Sequence, residues 1–135
     1  SKIQMLAEFK ESPRSVLLGT QSFWEGVDVR SAGLKLLIID KLPFPNPSDP
    51  IYNAQSMKIR SNGGNGFTEL ALPKTVLALK QGFGRLMREA SDMGLFVLGD
   101  SRIHSRSYRK YVTNNLPEMV WLDNQEDALA WMRKL

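Results

Sequence analysis

The chain predicts an α/β fold, a mainly parallel sheet with flanking helices. Three observations carry that expectation. Two short, densely apolar runs, Leu34 to Asp40 and Leu95 to Gly99, have the composition of strands covered on both faces, as in a parallel sheet. Between them Val76, Leu79, Phe83, Leu86 and Ala90 recur at the helical period. Strands alternating with helices are the mark of layered α/β architecture.

Taken in order, Ser1 to Lys10 places Ile3, Met5, Leu6 and Phe9 among polar residues, as at the end of an amphipathic helix. Glu11-Ser12-Pro13-Arg14 breaks it. Ser15-Val16-Leu17-Leu18-Gly19 reads as a short buried strand, followed by a polar and aromatic loop from Thr20 to Asp28. Ser31-Ala32-Gly33 is a turn before the strand Leu34 to Asp40. Pro43, Pro45, Pro47 and Pro50 exclude regular structure from Lys41 to Pro50. Ile51 to Arg60 then reads as a helix, and Ser61 to Gly66 as a flexible turn. The long helix should start near Pro73, a residue suited to the first helical position, and run to about Ala90. After the strand Leu95 to Gly99, a helix is expected over Ser105 to Asn114 and an edge strand over Met119 to Leu122. Asp123-Asn124-Gln125-Glu126 has the form of a capping box. It opens a helix with Ala128, Met132 and Leu135 on one side. The expected organisation is one domain over 1–135, an irregular and helical insertion at 43–70, and a C-terminal helix at 123–135.

Composition narrows the chemistry. With 135 residues, 42% hydrophobic and 24% charged, the chain can bury a core and is not a disordered composition. It has no cysteine, which excludes disulfides and cysteine-held zinc or iron–sulfur centres within these residues. A single histidine, His104, argues against a histidine metal site or a Ser-His-Asp triad. There is no apolar run of about 18 residues and no secretory signal, so a cytoplasmic protein without membrane contact is expected. The net charge is +4, and Arg102 to Tyr111 contains four cations and no acid. Tyr108 and Tyr111 lie among those cations, a mixture that serves either a single-stranded nucleic acid or a solvated helix face with its tyrosines in the core.

Candidate site residues cluster at strand ends, where open α/β sheets bind ligands. Thr20-Gln21-Ser22-Phe23-Trp24-Glu25-Gly26-Val27-Asp28, Lys41-Leu42-Pro43-Phe44-Pro45 and Asp100-Ser101-Arg102 bring hydroxyls, carboxylates and an arginine to one edge. Asp28 could accept from a sugar hydroxyl and Gly26 admit a ligand to the backbone; alternatively this is an exposed loop with Trp24 as a core plug. On the long helix, Gln81, Arg85 and Arg88 share the face opposite the apolar stripe, a display suited to an anionic, oxygen-rich ligand. Gly82-x-Gly84 is not a dinucleotide fingerprint, because it lies within a helix and Met87 stands where a third glycine belongs. Gly63-Gly64-Asn65-Gly66 lacks the Gly-Lys-Ser/Thr of a P-loop, and no such sequence occurs in the chain.

Together these motifs resemble a known family. Gln81-Gly82-Phe83-Gly84-Arg85-Leu86-Met87-Arg88 is similar to motif VI of superfamily 2 helicases, and Ser22-Phe23-Trp24-Glu25-Gly26-Val27-Asp28 resembles motif V. The Lys41-Leu42-Pro43-Phe44 loop, the Asp49-Pro50 pair and Asp100-x-Arg102 resemble the DinG branch of the XPD-like DNA helicases, over about Ser12 to Pro117. The resemblance implies a RecA-like second lobe, a P-loop NTPase fold without its own P-loop and truncated on the N-terminal side. It implies a two-lobed motor moving 5′ to 3′ on single-stranded DNA, with ATP between the lobes. Helicase domain 1 of the same polypeptide would be the partner. It would hold most of the ATP and Mg²⁺ and, in many members, a four-cysteine 4Fe–4S domain. Arg85 and Arg88 would then be arginine fingers and Gln81 would position phosphate or water. Glu25, Gly26 and Asp28 would line the nucleotide, and Thr20, Ser22 and Arg102 would touch DNA, Arg102 alternatively bracing the finger helix through Asp100. No metal ligand is expected in this chain. The alternative reading is a non-catalytic module, binding single strands through Arg102 to Tyr111 or docking a protein through the helix at Asp123 to Leu135.

Overall fold

A computed structural model of the chain describes residues 1–23, 33–87, 89 and 91–135, without the side chain of Ser22. Helix α1 spans Lys2–Glu11, strand β1 Leu36–Ile39, α2 Pro50–Ser61, α3 Leu72–Leu86, β2 Leu95–Leu98, α4 Arg102–Ser105, α5 Arg109–Asn115 and α6 Gln125–Met132. The expected α/β class is observed. β1 and β2 pair as a two-stranded sheet. The Leu95 amide donates to the Lys35 carbonyl and the Gly99 amide to the Ile39 carbonyl, both at 2.8 Å. Donor and acceptor advance together along both strands, which makes the pair parallel.

Two apolar runs expected to be strands are not. Residues 15–19 carry no ladder, and Val16 and Leu18 are 85% and 83% exposed. Residues 119–122 likewise form no strand, with Val120 and Trp121 exposed. The reason is shared: a strand needs a hydrogen-bonded neighbour, and among the described residues only β1 and β2 supply one. Ile38 on β1 is exposed, so among the described residues the strand is not buried on both faces as its composition suggested.

The proline-rich stretch is irregular, as expected, yet closely tied. Asn46 Oδ1 accepts from the Ser48 amide, and Asn53 Nδ2 donates to the Pro47 carbonyl. Asp49 caps α2 by accepting from the Tyr52 amide at 2.9 Å, with Pro50 at the first helical position. The Ser61 to Gly66 stretch is a helix stop rather than a loose turn. Gly63 takes φ +81°, its amide donates to the Arg60 carbonyl, and the Gly64 amide reaches the Ile59 carbonyl. Asn65 starts the next helix at once: its Oδ1 accepts from the Phe67 and Thr68 amides, while its own amide donates to Glu69.

That helix begins earlier than Pro73. A π-helical turn, Phe67–Ala71, runs directly into α3. The Leu72 amide donates to the Phe67 carbonyl, so the turn is widened just ahead of the one residue that has no amide hydrogen. At its other end α3 stops at Leu86, and Arg88 and Ala90 lie outside the described residues. The expected apolar stripe is present: Val76, Leu79 and Leu86 are buried and Phe83 half-buried. The single helix expected over Ser105 to Asn114 is two short ones, α4 and α5. At α6 the cap sits one residue later than read from sequence. Asn124, in an extended backbone conformation just before the first helical residue, accepts from the Asp127 amide through its Oδ1.

The chain divides into two compact units, 1–38 with 81–97 and 120–135, and 39–80 with 98–119. The second holds most of the described core: Ile39, Leu42, Ala71, Leu72, Val76, Ala78, Leu79, Ile103, Val112 and Leu116. In the first, Leu6 and Leu86 are buried and Phe83 meets Phe96 edge-on at 5.9 Å. Gly94 abuts Leu86 so closely that a Cβ would lie 2.6 Å from Leu86 Cδ1 and 2.8 Å from Cγ. No described helix is long and apolar enough to cross a membrane. Asp49→Ala should lower stability by about 1 kcal/mol through loss of the α2 cap. Gly94→Ala should cost about 1–3 kcal/mol by overpacking against Leu86. Denaturant melts of both variants against wild type measure the two effects.

Candidate functional site

In the first unit, the end of α3 presents the basic motif. Gln81 is exposed, Gly82 is buried, and Gly84 is exposed with open space where a Cβ would be. Arg85 is half-buried, and its Nε is a buried donor without a hydrogen-bond partner. Phe83 and Leu86, on the apolar stripe either side of Arg85, fix the helix and so the origin of that side chain. A buried guanidinium N–H left unpaired is costly, and a carboxylate or phosphate oxygen is the acceptor it matches best. The site therefore fits an anionic oxygen ligand such as a nucleotide phosphate. Arg88, Glu25, Gly26 and Asp28 lie outside the described residues. Thr20 is exposed and its carbonyl accepts from the Phe23 amide, closing the short 3₁₀ turn Gln21–Phe23 that contains Ser22.

In the second unit, Asp100 organises the ends of both strands. It is 6% exposed. Its Oδ2 accepts from the Leu42 amide at 2.9 Å, across 58 residues of sequence. Its Oδ1 accepts from the Arg102 amide at 3.0 Å. Arg102 Nε donates to both oxygens, and Arg102 Nη2 lies 2.6 Å from Oδ2. The Arg102 side-chain hydrogen bonds hold the Asp100 carboxyl far below the usual carboxylate range against the opposing effect of burial, with help from the Leu42 and Arg102 amides. The same contact pushes the Arg102 guanidinium up. Through Asp100, Arg102 is tied to the loop that follows β1.

Around this node sits an aromatic group that sequence reading did not assemble. Phe44, Phe67 and Tyr108 form a closed triangle with centroids 5.6–5.8 Å apart. Arg102 Cζ lies 5.3 Å from the Phe44 ring centroid. The one local signal was Asp100-x-Arg102, a spacing that lets one carboxylate take both the amide and the side chain of the arginine. Phe67 carried no signal, because its place depends on the helix stop at Gly63 and the π turn. Among the described residues no three His, Cys, Asp or Glu side chains gather as a metal site.

Asp100→Ala should strand the Leu42 amide and Arg102, lowering stability by about 1–3 kcal/mol. The folded pKa of Asp100 is depressed, so its contribution is complete above the unfolded value of about 4 and is lost as pH falls below it. The stability gap between wild type and Asp100→Asn should therefore be constant from about pH 5 to 8 and narrow progressively below about pH 4. Thermal melts across that range check it.

Comparison with known proteins gives the family. Residues 1–119 match the family of helicase C-terminal domains. The chain is 47% identical over 117 residues to the ATP-dependent DNA helicase YoaA of Escherichia coli, covering 87% of this chain and 18% of that protein. It is 36% identical over 131 residues to the ATP-dependent helicase DinG of Mycobacterium tuberculosis, covering 97% of this chain and 20% of that protein. It is also 39% identical over 114 residues to a Bacillus subtilis protein named 3′-5′ exonuclease DinG, covering 84% of this chain and 12% of that protein. The chain thus spans at most about a fifth of the length of these relatives.

Proposed function

This chain belongs to the helicase C-terminal domain family, and from that premise we propose that it is the RecA-like second lobe of an ATP-dependent DNA helicase. The observation that carries the reading is Arg85: a guanidinium whose buried Nε has no acceptor, on the last turn of α3, within the motif Q-x-x-G-R-x-x-R. Such a donor serves a site completed by another surface. That surface is helicase domain 1 of the same polypeptide, which supplies the P-loop, the Mg²⁺ ligands and most of the contacts to ATP. The likeness to YoaA and DinG, both named as ATP-dependent helicases, supports this division.

Within that lobe the chain's own residues act by position and charge. Arg85 donates to the oxygens of the phosphoryl group that is leaving, where negative charge redistributes, and Arg88, three residues further along the motif, does the same. Gln81 orients phosphate or attacking water, and Glu25, Gly26 and Asp28 meet the ribose side. Thr20, Ser22 and Arg102 contribute to a single-stranded DNA track, along which the motor moves 5′ to 3′. The relative named as an exonuclease shares the same lobe over 12% of its length, so its nuclease activity need not draw on these residues.

In the full-length protein, Arg85→Ala should lower the ATP turnover rate by about 10³–10⁵-fold, while the affinity for a non-hydrolysable ATP analogue changes much less. Wild-type turnover in that variant would refute the finger assignment. The chain expressed alone should show no ATPase above background, and turnover at a helicase-like rate would refute the two-lobe reading.

A further inference from the structure

The net charge is unevenly divided. The first unit has nine Lys and Arg against nine Asp and Glu and is neutral; the second has nine against five and carries the whole +4. Within the second unit, Arg106, Arg109 and Lys110 are exposed, and no acid occurs from Arg102 to Tyr111. The aromatic triangle lies in the same unit. Phe67 is 41% exposed, Phe44 and Tyr108 are half-buried, and the Arg102 side chain is 44% exposed. Three rings this close form a rigid base, since each is buttressed by two others and Phe44 is also faced by a guanidinium. Asp100 engages Nε and Nη2 of Arg102, which leaves Nη1 to meet another acceptor.

From this juxtaposition we propose that Phe67, supported by Phe44 and Tyr108, is a stacking platform for an unpaired base of single-stranded DNA. Arg102, Arg106 and Arg109 take the flanking phosphates. An aromatic face beside oriented cations is the combination that binds single strands without reading their sequence. Phosphates alone would need only the cations, and an apolar protein partner would not need them. Duplex DNA is excluded from the ring, because a paired base presents no free face. Phe67 is the first residue of the π turn. The proposal deepens the helicase reading and rests on it for the identity of the strand.

The test uses the full-length protein. Binding of a fluorescein-labelled oligothymidylate is measured by anisotropy, beside an oligonucleotide of equal length made of abasic sites. Wild type should prefer the base-bearing strand. Phe67→Leu, which keeps the apolar packing but removes the π face, should lose about 5- to 150-fold in affinity for it. The same variant should bind the abasic strand as wild type does, and Phe67→Trp should restore the preference. Arg109→Gln should weaken both strands alike and reduce the salt slope by about one. Equal base preference in wild type and Phe67→Leu would overturn the platform while leaving the helicase assignment in place. Failure of the wild-type protein to bind either strand would overturn both. DNA-independent ATP turnover should be unchanged in Phe67→Leu, which separates this site from the arginine finger.

Discussion

The second unit depends on one buried carboxylate. Asp100 follows β2, and Leu42 follows β1; they meet only because the two strands run parallel and in register. Once there, Asp100 accepts from the Leu42 amide, the Arg102 amide and the Arg102 guanidinium together. A carboxylate this well supplied with donors stays ionised far into acid, so the staple is permanent under ordinary conditions. It fixes the start of the proline-rich loop that follows β1. Phe44 is thereby set beneath Arg102.

The two units differ in how they are held and in what they offer. The second has the larger described core, capped and stopped helices and all of the net charge. The first has few buried side chains among its described residues, but it holds the end of α3 and the unpaired Nε of Arg85. On the proposed reading the two units would have separate tasks: an arginine that senses phosphate would answer to a surface outside its own lobe, whereas a track for the strand would profit from a stiff, preorganised base.

Much of the fold was legible because it is local. The period of Val76, Leu79, Phe83 and Leu86 defines the buried face of α3, and the helix expected over Ile51 to Arg60 is α2, whose cap at Asp49 and start at Pro50 came from the structure. The cores of both observed strands were apparent from their apolar density. Val16 to Leu18 and Val120 to Leu122 looked the same by composition and are not strands, since pairing is a property of the neighbour and not of the segment. The capping position at α6 was misplaced by one residue because Asp123 and Asn124 are both competent caps, and only the backbone conformation chooses between them.

The site divides along the same line. From sequence alone came the resemblance to helicase motifs, the absence of a P-loop and the clustering of cations between Arg102 and Tyr111, all of which are matters of residue identity and spacing. What sequence could not determine was which distant groups meet. The staple from Asp100 to Leu42 spans 58 residues, and the ring triangle joins Phe44, Phe67 and Tyr108 from three separate segments. Neither has a local signature, because each is created by strand register, a glycine helix stop and a widened turn acting together. The chemistry is written in the residues; its assembly is a consequence of the packing.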